Sequence, residues 1–148
     1  MSRTLVPAAL LMLFAAPAGA APKLKEKGLP PAITGEWLAE SRTSRGQAVG
    51  VAADGVRLVF RPDGTYTWRL GDHDADPFGH KFSVNPKTDP AEIDFAPREK
   101  APYLGVFKID KDRLTLCYTL AGNPRPTAFE APAGTRSLLY VFRRATKD

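Results

Sequence analysis

A single cysteine, Cys117, stands in a chain of 148 residues. No internal disulfide can form, so the fold is held by its core alone. Histidine is nearly as scarce: the two present, His73 and His80, fall in one stretch, DHDADPFGH. With no G-x-S-x-G elbow and no cysteine-histidine signature, nucleophilic catalysis has almost nothing to work with. Helical periodicity of useful length is missing beyond residue 20, and so is any apolar run long enough to cross a bilayer. Basic side chains outnumber acidic ones, 21 to 16, for a formal charge of +5. They are scattered, apart from Lys23, Lys25 and Lys27 and a terminal group of Arg143, Arg144 and Lys147. Scatter of this kind reads as solvated tails, so nucleic acid is not expected as a partner.

What is present begins with MSRTLVPAALLMLFAAPAGA. One basic residue, an apolar stretch from Leu5 to Ala16 and small residues at Ala18 and Ala20 have the order of a secretory signal peptide. Residues 1–20 are therefore expected to be removed on export to the periplasm or the exterior. The charged, proline-rich APKLKEKGLPPAI next to it lacks any period, and residues 21–34 are expected to be a flexible leader. Of the whole chain, 43% is hydrophobic and 25% charged, the balance of an ordinary globular protein. One domain, residues 35–145, is the natural count, and a monomer is expected.

From Gly35 onward the punctuation is regular. GEWLAE reads as a first strand and SRTSRGQAVG as a polar loop. VRLVF (Val56 to Phe60) and TYTWRL (Thr65 to Leu70) each alternate apolar and other residues, the period of a half-buried strand. RPDG between them supplies hairpin chemistry, with proline setting a negative φ and Gly64 accepting a positive one. KFSV, AEIDF, YLGVFKI, RLTLCYTL and RSLLYVFRR continue the series. The last is apolar on both faces, as in a strand that is covered outside or closes a barrel. About eight short strands imply an all-β fold, an up-and-down antiparallel barrel of lipocalin-like type, with a two-sheet sandwich as competitor.

Candidate chemistry is thin. Asp72, Asp74 and Asp76 occupy alternate positions of a calcium-loop pattern, but Pro77 stands where glycine is needed and Ser83 where a bidentate glutamate is needed. His73 and His80 fit no standard zinc spacing, so no metal and no cofactor are expected. Glu92 and Asp94 share a strand face, which alternation turns outward. Cys117, inside RLTLCYTL, reads as a buried small hydrophobe.

The second half of the chain carries a resemblance. Gly35-Glu36-Trp37, Asn85-Pro86-Lys87 with Ile93-Asp94, Gly105-Val106-Phe107-Lys108, Leu114 to Cys117 and GNPRPTAF (Gly122 to Phe129) together resemble a small exported domain family abundant in planctomycete bacteria. The likeness covers roughly Gly35 to Arg144 and implies a lipocalin-like barrel; it implies no activity. In GNPRPTAF, Pro124 and Pro126 stiffen the segment before folding. As a strut across a barrel mouth it would place Phe129 in the interior, with Arg125 either satisfied within the fold or anchoring a ligand carboxylate. The expected function is a non-enzymatic module for a small, partly apolar ligand, with Trp37, Trp68 and Phe129 as walls and Arg125 as polar anchor. The competing expectation is a cell-envelope interaction module with a filled core.

Overall fold

A computed structural model describes residues 32–51, 55–75, 79–96 and 101–146. The expected signal segment and most of the expected leader lie outside these residues, as do Asp76 and Pro77. Ten strands and no helix are found among the described residues: β1 (Gly35–Ser44), β2 (Gln47–Val49), β3 (Val56–Phe60), β4 (Thr65–Leu70), β5 (His73–Asp74), β6 (His80–Asn85), β7 (Ala91–Ala96), β8 (Tyr103–Asp110), β9 (Arg113–Thr119) and β10 (Ser137–Arg144). All pairings are antiparallel. Eight strands succeed one another around the sheet, and β1 closes it by pairing with β10 from Trp37↔Arg144 to Ser44↔Leu138. The short β2 and β5 lie off the ring, on β1 and β4. The barrel expectation holds and the sandwich falls, because the pairings form one continuous closed ring rather than two separate sheets.

Alternation builds the interior. Trp37, Leu58, Phe60, Tyr66, Phe82, Ile93, Phe95, Leu114, Leu116 and Phe142 all point inward and are buried. Each large apolar side chain removed from water contributes roughly 1.5–3 kcal/mol. The RPDG turn forms as its chemistry dictates: Gly64 has φ of 85° and Asp63 Oδ1 accepts from both the backbone N–H and the hydroxyl of Thr65, at 2.9 and 2.6 Å.

One end of the barrel is shut by Ile33, wholly buried although it precedes the first strand. Its carbonyl accepts a 2.9 Å hydrogen bond from Trp37 Nε1. Arg144 caps the pair: its guanidinium lies 4.2 Å from the centre of the Trp37 ring and donates to the carbonyls of Thr34 and Ala32 at 3.0 and 2.7 Å. Barrel packing thus begins within the segment expected to be leader.

SRTS is not loop. β1 runs on to Ser44 because a bulge at Glu40 breaks the alternation: Ala39 pairs with Phe142 and Ser41 with Val141. One extra residue in one strand re-aims the side chains beyond it. Glu40 loops outward beside Arg113 and Arg143, at 3.6 and 3.9 Å, and Arg42, facing Tyr140, turns inward.

Candidate functional site

The proline-braced segment does not cross the mouth. Residues 120–136 form a strap over the outer wall, above β8 and β9. Val106 and Cys117 point outward there and are nonetheless buried, together with Ala131 of the strap. Among the described residues these three are the buried apolar ones that do not belong to the central core. Several ties fix the strap. Gly46 N–H donates to Ala131 O at 2.6 Å, and Cys117 Sγ donates to Glu130 O at 3.3 Å. Arg125 supplies another. Its Nη1 donates to the carbonyls of Gly105 (2.8 Å) and Ile93 (3.2 Å), and its Nη2 stands 2.7 Å from Asp94 Oδ1, off the hydrogen-bonding direction, as a charge contact. Glu92 lies 3.8 Å from Nε. The outward-facing acids of β7 therefore meet the arginine of the strap.

This places the expected site residues one by one. Arg125 is engaged within the fold by two carbonyls and the acids of β7, and it faces away from the interior. Phe129 is not in the core: its ring lies beneath the ammonium of the exposed Lys108, 4.8 Å away, on the outer wall. The strap packs outside because Val106 and Cys117 give it an apolar seat there, whereas the interior is already filled at the level of Phe107 and Leu116. Trp37 is wholly buried at the shut end and has no surface to offer. Trp68 alone among the four is half-buried and inward-facing near the other end.

At that other end the interior changes character. Around Trp68 stand Tyr118 and Tyr140, with ring centroids 6.4 and 5.3 Å from it, and Tyr103 stacks on Tyr118 at 6.3 Å with planes 15° apart. Gly105, opposite Tyr118, leaves the space this layer needs: a Cβ there would lie 2.8 Å from Cys117 O and 2.9 Å from Tyr118 Cβ. Burial pushes the phenols of Tyr118 and Tyr140 above their ordinary value, Tyr118 further raised by Tyr140, and the positive charge of Arg42 works against the shift in both. The exposed large apolar side chains among the described residues, Val49, Leu70 and Leu120, all belong to strands or turns at this end. So does a cleft of about 300 Å3 lined by Arg42, Arg45, Arg136, Ser44, Leu120 and Leu138, among others.

A larger groove of about 470 Å3 runs under the strap, between Thr119, Arg125, Glu130 and Ser137. Several of its polar groups serve the strap itself: the Thr119 hydroxyl, for one, lies 3.2 Å from Pro124 O. In the DHDADPFGH segment, Asp74 pairs with Arg69 at 3.0 Å and His80 packs against Tyr66 with ring centroids 5.7 Å apart. Among the described residues no three metal-ligating side chains gather.

The aromatic layer contains Tyr103, Tyr118 and Tyr140, which sequence reasoning missed as a group. Their inward phase was legible from strand alternation; the joining of four strands at one level was not. No family model matches the chain, and no curated protein or solved structure matches it either.

Proposed function

We propose that this chain is an exported, lipocalin-like binding module without catalytic activity, and that it holds a small, partly apolar ligand at the unshut end of the barrel. The signal-like leader supports export, and the β-barrel is a fold that serves such binding. The observation that carries the reading is the contrast between the two ends. Ile33, Trp37 and Arg144 seal one. The other presents half-buried Trp68 and Tyr103 over Tyr118 and Tyr140, rimmed by Leu70 and Leu120. Aromatic faces with polar tips bind flat or chain-like apolar bodies while remaining compatible with water when empty.

The two tryptophans make the test direct, because Trp37 is wholly buried beside Ile33 while Trp68 is half-buried beside the tyrosines. Titration of the folded domain with hydrophobic probes quenches or shifts Trp68 emission and leaves Trp37 unaffected; in a Trp68→Phe variant the signal disappears while the barrel stays folded. Probes that bind also raise the melting temperature in proportion to the logarithm of their concentration. Absence of any shift across fatty acids, aromatic amphiphiles and sterols removes this reading and leaves an envelope-protein interaction module with a filled core.

A further inference from the structure

Arg42 is a charged side chain that faces the inside of the barrel near its unshut end. The bulge at Glu40 turns it there, opposite Tyr140, with its guanidinium 5.8 Å from the centre of that ring. Its Nε is buried with no hydrogen-bond partner. Its nearest acidic neighbour in sequence, Glu40, is turned to the outer wall and taken by Arg113 and Arg143. Arg42 lines the 300 Å3 cleft with Arg45 and Arg136. Among the described residues none of these three guanidinium groups enters an ion pair with a carboxylate, whereas Arg57, Arg69, Arg113, Arg125, Arg143 and Arg144 all do.

A desolvated guanidinium N–H without an acceptor is costly, and the ring face opposite offsets only part of that cost. The planar fork is suited to an oxyanion, which it grips through charge-assisted hydrogen bonds. Beside it, apolar surface continues from Leu138 to Tyr140, Tyr118 and Trp68.

We propose that the ligand is an acidic amphiphile whose carboxylate, sulfonate, sulfate or phosphate-ester head is bound by Arg42, with Arg45 and Arg136 supplying further positive charge, and whose apolar body lies over the tyrosine layer. This rests on the reading of the unshut end as a binding site and adds the sign of the ligand's charge and the residue that selects it.

A matched pair of fluorescent probes tests it: anilinonaphthalenesulfonate and its uncharged counterpart N-phenylnaphthylamine share one aromatic body and differ in the sulfonate. The wild-type domain is expected to bind the sulfonate at least about tenfold more tightly, the worth of one charge-assisted hydrogen bond. In Arg42→Met, which keeps the side-chain stem over Tyr140, that advantage falls to near unity while the neutral probe binds as before; Arg42→Lys keeps part of it. A measurement on the wild-type domain does not depend on the variants folding: raising salt from about 20 to about 300 mM weakens the sulfonate and spares the neutral probe. Equal binding of both probes by wild type, or an advantage that survives in Arg42→Met, overturns the proposal and leaves the binding-module reading standing. Binding of neither probe overturns both. Inorganic phosphate that displaces the sulfonate and raises the melting temperature equally shows a free-oxyanion site, and the amphiphile is then wrong.

Discussion

Arg125 and Asp94 hold the strap to the wall: Nη2 of the one stands 2.7 Å from Oδ1 of the other, and the same guanidinium closes on the carbonyls of Gly105 and Ile93. One side chain thus joins the loop to two neighbouring strands, and the ties through Gly46, Cys117 and Thr119 remain when it is lost. Arg125→Met is expected to destabilise the domain by about 1–3 kcal/mol, since two carbonyls lose a charged donor and a carboxylate loses its charge partner. Asp94→Asn, which leaves the carbonyl contacts, costs less. Urea unfolding midpoints of the three proteins rank them.

Cys117 reports the same event without unfolding the barrel. It is wholly buried beneath the strap, and burial pushes its thiol above the ordinary value. In the native domain it reacts with a disulfide reagent only through opening, so labelling is far slower than for a free thiol. Arg125→Met speeds labelling more than its change in global stability accounts for, because the strap lifts locally. Equal ratios would show that the strap and barrel open together.

Gly105→Ala is expected to cost about 1–3 kcal/mol, as an overpacked site does. The added carbon would meet backbone, Cys117 O at 2.8 Å, and that neighbour does not rotate away. Gly50→Ala has nothing within 4 Å and no positive φ, and thermal melts should show it near wild type.

At high pH the barrel weakens from within. Burial raises the phenols of Tyr118 and Tyr140 and the thiol of Cys117. Below the ordinary values of these groups both folded and unfolded chains hold the protons and stability is unaffected; above about pH 8.5 for the thiol and about pH 10 for the phenols, only the unfolded chain releases them, and stability falls as pH rises. Tyr118→Phe should flatten the alkaline limb of a plot of urea midpoint against pH.

Deleting Glu40 is expected to leave the barrel folded. A deletion inside a regular strand moves every later side chain to the opposite face. Here the deleted residue is the one looped out, and Ala39 and Ser41 already occupy consecutive rungs. Deleting Val59, in the regular β3, serves as the contrast and should abolish the cooperative melt.

The strands were legible because their apolar residues repeat every second position; β3 and β4 lie where VRLVF and TYTWRL put them. Arg42 was not, since counting in twos from Trp37 and Ala39 sends it outward and nothing in EWLAESRTS marks Glu40 as the bulged residue. The prolines around Arg125 announced stiffness but not which surface the strap would cross. A signal for that existed: Val106-Phe107 and Leu116-Cys117-Tyr118 are apolar at consecutive positions, which an exposed outer wall would not tolerate. The tyrosine layer depended on strand order around the ring, which periodicity does not encode.

The pairing of β1 with β10 also sets a timetable. Its partners lie roughly a hundred residues apart, the kind of long-range pairing that makes folding slow. A growing chain is an open sheet with two unsatisfied margins until its final segment arrives. Truncation by a single strand at the C-terminus should therefore yield not a smaller barrel but a sticky, self-associating intermediate.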